Sequence, residues 1–394
     1  MEYSYEEVMS YIEEEDVKFI RLAFRDAFGV QKNISVTPVE MKKAFDKGVP
    51  VNVSPIAGFK SCDAGPVYLR PQGDTMAILP WRPDSGRVLR MFCDLYTQNG
   101  EPVTSDTRKL LKDAVDAAAQ MGVRFKFGTR SEFYLFLKDE EGNPTDIPYD
   151  NAGYMDIAPL DKCENIRRDI SLTVEKMGMI PECSYHKSGP GQNEVDFHYS
   201  KPVKAADHLT TFKMVVSTVA NKYGLAADFS PMPLKGRPGN GYHIDIHAFD
   251  EKGNNLINCV TAGILENMRD MTLFLNPRDE SYSRLEAIVS PHRVMWSEAG
   301  TSSPIILDSF GSEPFARLRT PDMGSNPYLV YSLLIHAGLS ALRRELSLPD
   351  RRDRAPRLPS SRREAANLAA ESEFIREIVP EDIIQEYVYQ YDKK

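Results

Sequence analysis

The 394-residue sequence has only two tryptophans and seven histidines, and its five cysteines include no C-x-x-C pair. Cys62, Cys93, Cys163, Cys183 and Cys259 lie far apart. An odd number without metal-ligand spacing excludes a disulfide framework or a zinc knuckle and suits a reducing compartment. No run of apolar residues approaches the ~18 that a membrane helix needs. The opening M-E-Y-S-Y-E-E-V is acidic and has no apolar stretch behind a basic start, so it does not read as a secretory leader. A soluble, cytoplasmic protein is expected, with no membrane partner. Basic residues are also in deficit: 48 Lys and Arg against 57 Asp and Glu give a formal charge of -9, which argues against nucleic acid as a general partner. Solenoid periods and low-complexity tracts are missing as well.

What is present is ordinary for a globular protein with a sizeable core: 42% apolar and 27% charged residues. The spacing predicts a short helix over 5–15, a strand over 17–26, a turn at Phe28–Gln31 and a return strand at 33–36. Thr37-Pro38-Val39-Glu40 has the pattern of a helix start with a capping Thr. A further strand is expected over 87–96 and a joint at Asn99–Pro102, giving domains at 1–102 and 103–394. Helices are then expected at 106–121, 161–177, 205–223, 257–271 and 325–345. Strands are expected at 123–127, 132–136, 193–198 and 242–249. Apolar and polar residues alternate in these strands, which favours an antiparallel sheet with helices packed outside it. Residues 347–363 read as a Pro- and Arg-rich surface loop, followed by a final helical pair.

Residues two apart on a strand share a face. Glu132, Glu194 and Asp196 therefore project from strands, as do His243, Asp245 and His247 of H-I-D-I-H. Carboxylates with an imidazole can hold a divalent cation; a half-exposed ladder of hydrogen bonds accounts for the same pattern. Ser188-Gly189-Pro190-Gly191-Gln192 either cradles an anion or turns the chain. Arg317 and Arg319 share a face suited to phosphate or carboxylate, or to surface ion pairs.

Taken in order, the segments resemble the glutamine synthetase family. They are F-I-R-L-A-F-R-D-A-F-G (19–29), S-P-I-A-G-F (54–59), T-x-x-x-L-P-W (75–81), G-x-x-x-E-F-Y-L-F (128–136), G-Y-M-D (153–156), S-G-P-G-Q-N-E-V-D-F (188–197), G-N-G-Y-H-I-D-I-H (239–247), N-P-R-D-E-S-Y-S-R-L (276–285) and R-T-P-D-M-G-S-N-P-Y-L (319–329). The resemblance implies an α+β fold: a small N-terminal β-grasp-like domain, and a larger catalytic domain whose curved antiparallel sheet packs against helices. It also implies a homo-oligomer with sites near subunit interfaces, where ATP phosphorylates a carboxylate and an amine displaces the phosphate.

Carried over residue by residue, the resemblance makes Glu132, Glu194 and His243 metal ligands. His243, His247 and Arg319 become nucleotide contacts, and Arg284 and Arg319 catalytic residues. It also exposes departures. Three further metal-ligand positions fall on Arg130, Lys187 and Arg317, and the acid expected to deprotonate ammonium falls on Asn52. The substrate-binding Glu falls on Val289, while two family arginines fall near Thr301 and Ile306. Exchanging three carboxylates for cations shifts the formal site charge by about six units, and a fixed positive charge opposes a metal. A two-metal magnesium site is therefore not expected, although ATP with one magnesium, or another small anionic ligand, remains open. The expectation is that Arg130, Lys187 and Arg317 neutralise Glu132 and Glu194 where metal would otherwise do so. The protein would then act by binding or assembly rather than by ordinary glutamate–ammonia ligation. The alternative is an active glutamine synthetase, or a related ATP-dependent carboxylate–amine ligase with altered substrate or mechanism.

Overall fold

The computed structural model describes residues 3–287, 292–300, 303–308, 313–350 and 355–390. Val289 and Thr301 lie outside the described residues. The chain opens with α1 (Tyr5–Glu14), where Ser4 and Glu7 form a capping box. Six strands follow: β1 (Val17–Arg25), β2 (Gln31–Val36), β3 (Val49–Val51), β4 (Val67–Pro71), β5 (Ala77–Ile78) and β6 (Arg87–Tyr96). They form a sheet in the order β2-β1-β6-β4-β3, with β5 beside β6 and β1 parallel to β6. Period-two alternation builds the core, because Ile20, Leu22 and Phe24 face Leu89, Met91 and Cys93 on one side of the sheet. Arg21 pairs with Arg90 and Ala23 with Phe92 on the other side. The helix expected after Thr37 forms as a single 3-10 turn leading into α2 (Met41–Asp46). Thr37 makes no side-chain cap there, so it is the proline that sets the start.

The larger domain is organised by β7 (Val123–Lys138), a single strand spanning both segments that the sequence suggested separately. Around it lie β8 (Pro144–Pro148), β9 (Pro181–His186), β10 (Gln192–Ser200), β11 (Leu225–Asp228), β12 (Tyr242–Asp250), β13 (Trp296–Ser297), β14 (Ile305–Asp308) and β15 (Phe315–Leu318). The curved sheet runs β13-β14-β15-β12-β7-β10-β9, and β8 and β11 also pair with β7. All these pairings are antiparallel except β13 with β14. Phe125, Phe127, Phe133 and Leu135 of β7 are buried in the core with Val195, Ile244, Ile246, Ala316 and Leu318. Burying each such side chain is worth about 1.5–3 kcal/mol.

The helices that complete this core are α3 (Thr107–Gln120, capped by Asp106), α4 (Glu164–Lys176), α5 (Pro202–Lys222), α6 (Ile257–Leu275), α7 (Asp279–Leu285) and α8 (Pro327–Arg343). The expected final pair is instead three short helices, α9 (Arg362–Glu371), α10 (Glu373–Ile378) and α11 (Glu381–Gln385), with a π-turn behind them. Among the described residues no helix is long and apolar enough to cross a membrane.

The two domains are joined by polar contacts. Arg108 of α3 bonds Asp94 of β6 (3.0 Å) and forks onto Asp207 of α5 (3.1 and 3.0 Å). Asn326 donates to the Ala27 carbonyl (2.9 Å), and the Tyr387 hydroxyl does so at 3.1 Å.

Candidate functional site

The strand alternation that sends apolar residues to the helices sends Arg130 and Glu132 of β7 to the opposite face. Register then selects their neighbours. Glu132 lies opposite Glu194, which lies opposite Tyr185; Arg130 lies opposite Asp196 on one side and His243 on the other. Asp245 lies opposite Arg317. One row thus carries Tyr185, Glu194 and Glu132, and the next alternates Asp196, Arg130 and His243.

At the centre is Lys187, just beyond β9. Its Nζ lies 3.0 Å from Glu132 and 2.7 Å from Glu194, and both carboxylates are buried. The Tyr185 hydroxyl donates to the other oxygen of Glu194. Glu132 also accepts from the Gly241 backbone N–H (2.6 Å) and from the Gln192 amide (3.4 Å). A Cβ at Gly241 would come within 2.9 Å of the His243 imidazole and 3.4 Å of Glu132, so glycine is needed for this close approach.

Electrostatics divides the pair. Burial pushes the Glu132 carboxyl up, and Lys187 only partly opposes this. Burial acts in the same direction on Glu194, but there Lys187 and the Tyr185 hydroxyl prevail and hold it down. Glu194 is therefore the firm carboxylate and Glu132 the one that takes a proton more readily. Burial lowers the ammonium affinity of Lys187, but the two glutamates outweigh it and hold the proton on. His243 is pushed well below its usual value by burial and by Arg319, so it is a neutral imidazole.

Arg130 and Arg317 require a correction. Neither forms an ion pair with Glu132 or Glu194. Arg130 pairs with Asp196 (2.9 Å) and Asp245 (3.7 Å), and Arg317 forks onto Asp245 (2.6 and 2.8 Å). Register is the reason, since it sets Asp196 and Asp245 beside the arginines and leaves Lys187 alone to bridge the glutamates. The Ser188–Gln192 segment is a turn rather than an anion cradle. Gly189 N–H donates to Gln192, and Gly191 N–H donates to Asp150.

The remaining sequence-derived positions separate. Arg284 is buried and its Nη2 is spent on Asn276 (3.1 Å) and the Thr320 carbonyl. Arg319 reaches toward the Ser303 carbonyl at 3.5 Å, and Glu132 is its favourable charge partner. Asn52 is exposed on the small domain, where its side chain accepts from Ser54 N–H and closes a local turn. His247 shares a strand face with His243 but sits at the far end of it. Its ring lies 4.5 Å from Tyr199 and 5.3 Å from Phe315, Lys126 lies over Tyr199, and the His247 Nδ1 is buried with no partner among the described residues.

These residues do not fit the family's pair of metals. At the Glu132–Glu194 position Lys187 already stands between the carboxylates, and at His243 the residue opposite is Arg130 while Arg319 acts on the imidazole. Fixed cations there repel a divalent ion.

Sequence reasoning missed Tyr185, although it lies two residues before Lys187 and so shares its face. It also missed a buried group of possible metal ligands, Asp150, Asp161, Cys163 and His186. Its residues come from separate loops and strands, so no spacing signals it. Arg167 bonds Asp161 and Asn193, while His186 bonds Asp150 (2.9 Å), so both carboxylates of the group already have partners.

Known proteins share this arrangement of domains. Residues 104–392 match the family model described as the glutamine synthetase catalytic domain, and residues 16–98 match that of the glutamine synthetase beta-grasp domain. A glutamine synthetase of Clostridium saccharobutylicum is 36% identical over 414 residues, spanning 98% of this chain and 94% of its own. One from Staphylococcus aureus (strain N315) is 37% identical over 360 residues, spanning 88% and 81%. Among solved structures, the GmaS/ADP complex superposes with a TM-score of 0.87 at 22% identity, covering 96% of this chain and 94% of that one. Ligand-free GmaS gives 0.85 at 23% identity, covering 96% and 93%.

Proposed function

We propose, from the premise that the chain belongs to the glutamine synthetase family, that it is an ATP-binding ligase that does not use the family's two-metal centre. Its reaction is carboxylate–amine ligation with altered substrate or mechanism, not ordinary glutamate–ammonia ligation. The observation that carries this reading is the Lys187 ammonium bridging Glu132 and Glu194 at 3.0 and 2.7 Å. Charge complementarity is kept, but the cation is covalently attached.

Ligation of this class has two steps. A substrate carboxylate oxygen takes the γ-phosphoryl group of ATP and ADP departs; an amine then displaces phosphate and gives up a proton. In this chain Lys187, Arg130, Arg317 and Arg319 supply positive charge along the face where phosphoryl oxygens would lie, and arginine forks suit such oxygens. The ring group of His247, Tyr199 and Phe315 offers a stacking surface for an adenine. Glu132, whose carboxyl is pushed up by burial, is suited to accept the amine proton that Asn52 cannot take. Relatives at 36–37% identity named glutamine synthetase, and the ADP held by the similarly folded GmaS, support the class.

A second reading, binding or assembly without ligation, is favoured by a different observation. Lys187, Arg130 and Arg317 are each already paired with carboxylates of the same chain. Phosphate release from ATP, measured across a panel of carboxylates and amines with and without magnesium, separates the two. Substrate-dependent release that survives chelation supports ligation. ATP binding by calorimetry with no release on any pair supports the second reading. Release that requires magnesium at two equivalents would overturn the account of Lys187.

A further inference from the structure

Away from the catalytic face, the joint between the domains buries more positive charge than it neutralises. Arg25 of β1 and Arg90 of β6 are 3% and 4% exposed. Both guanidinium groups lie against the Phe92 ring, at 4.2 and 3.8 Å from its centroid, which covers a face of each but bonds none of their edge N–H groups. Arg25 Nη1 donates to the Phe24 carbonyl (3.1 Å). By hydrogen-bond geometry Arg25 Nε and Nη2 and Arg90 Nε and Nη1 have no partner among the described residues, although Tyr328 and Asp207 favour the charge of both groups from nearby. Four buried donors left open on two neighbouring guanidinium groups are costly, and such groups call for an acceptor.

The nearby acids are already engaged. Asp207 receives the Arg108 fork and the Tyr328 hydroxyl (2.5 Å), and Asp94 receives Arg108 and Lys112 (2.6 and 2.8 Å). Asp106 accepts from the Leu95 and Arg108 backbone N–H groups. Arg25, Arg90, Arg108 and Lys112 thus face Asp94, Asp106 and Asp207, four cations against three acids. Lys204 and Arg90 both act on His208 of α5, and Lys204, which is exposed, adds to the basic side. Burial and Lys204 push the His208 imidazole down to about 4, leaving it neutral and able to hydrogen-bond. An acceptor-only group carrying negative charge satisfies both shortfalls at once, which water does not.

The geometry points to a binding site for a small oxyanion of the phosphate class, held by Arg25 and Arg90 between the small-domain sheet and α5, with His208 and Lys204 of α5 beside Arg90 and His208 respectively. The site joins β1 and β6 of one domain to α5 of the other, so its occupant would strengthen their docking. It is independent of the catalytic face and stands whichever functional reading holds.

The test uses the full chain. Inorganic phosphate is titrated against wild type, Arg25→Gln and Arg90→Gln at fixed ionic strength, with chloride as the control. Thermal midpoint and calorimetry are both read. Glycerol phosphate forms a second arm, to separate free phosphate from the phosphoryl group of an organic phosphate. Phosphate is expected to raise the wild-type midpoint, and its apparent Kd to weaken at least tenfold in either variant, while ADP binding is unchanged. An equal phosphate response in wild type and variants overturns the site. If a variant does not fold, wild-type crystals soaked in selenate decide alone. Anomalous density between the two guanidinium groups supports the site, and water there, or density with no response to phosphate in solution, overturns it.

Discussion

Lys187 is the residue on which the site depends, because two buried carboxylates share its single charge. Replacing it by methionine keeps much of the side-chain volume but leaves Glu132 and Glu194 facing each other without a cation. Removing one partner of a buried ion pair costs about 3–5 kcal/mol. Urea unfolding of Lys187→Met at pH 8 should show a loss of that order, smaller near pH 5, where Glu132 takes up a proton. The reverse experiment restores an acid. Lys187→Glu gathers three carboxylates around one point, and magnesium or manganese should then stabilise the variant, by about 2.7 kcal/mol at a free concentration about 100 times Kd. The wild type should not respond in this way. Identical metal responses in the two proteins would refute the idea that Lys187 occupies a metal position.

At the scale of elements, the strands were largely legible and their pairing was not. Alternation placed Glu194 with Asp196, and His243 with Asp245 and His247, on a common face of each strand, and register brings both sets to the same face of the sheet. Alternation says nothing about which strand lies alongside or in what register. That is why Arg130 and Arg317 could be recognised as charge reversals while their partners, Asp196 and Asp245, were misassigned. Segments joined across loops were harder still. Asp150 follows β8, Asp161 and Cys163 precede α4, and His186 ends β9, so only the folded chain brings them together.

This last group makes a prediction about pH. Within it, burial lowers His186, but its bonds to Asp150 and the Lys187 carbonyl outweigh burial and raise its affinity for a proton. A raised imidazole contributes stability that is full below its unfolded value of about 6.5 and is lost as pH rises through the folded value. Asp150 is shifted down by the same contact, against burial, so its contribution is present above the unfolded carboxylate value and fades as acid is added below it. The stability difference between wild type and His186→Gln should therefore be greatest near pH 5–6 and shrink by pH 9. A difference that grows with alkali would contradict the assignment.

For the whole molecule, the division into a small and a large domain depends on how firmly the two are docked. Arg108 is the central contact, buried and bonded to Asp94 of one domain and Asp207 of the other. Arg108→Leu leaves Asp94 with Lys112 and Asp207 with the Tyr328 hydroxyl as their remaining partners, and should cost up to about 3–5 kcal/mol. The loss falls on the joint rather than on either core, so calorimetric unfolding should split into two transitions, with the small domain melting first. A single transition shifted down as a unit would mean that the two cores are coupled by more than these polar contacts.

A cation delivered by a side chain differs from a bound ion in one further respect. Lys187 cannot be diluted, chelated or exchanged for a competitor. The charge at the heart of this sheet is therefore set when the chain is translated, and it does not follow the rise and fall of free magnesium or manganese around the protein.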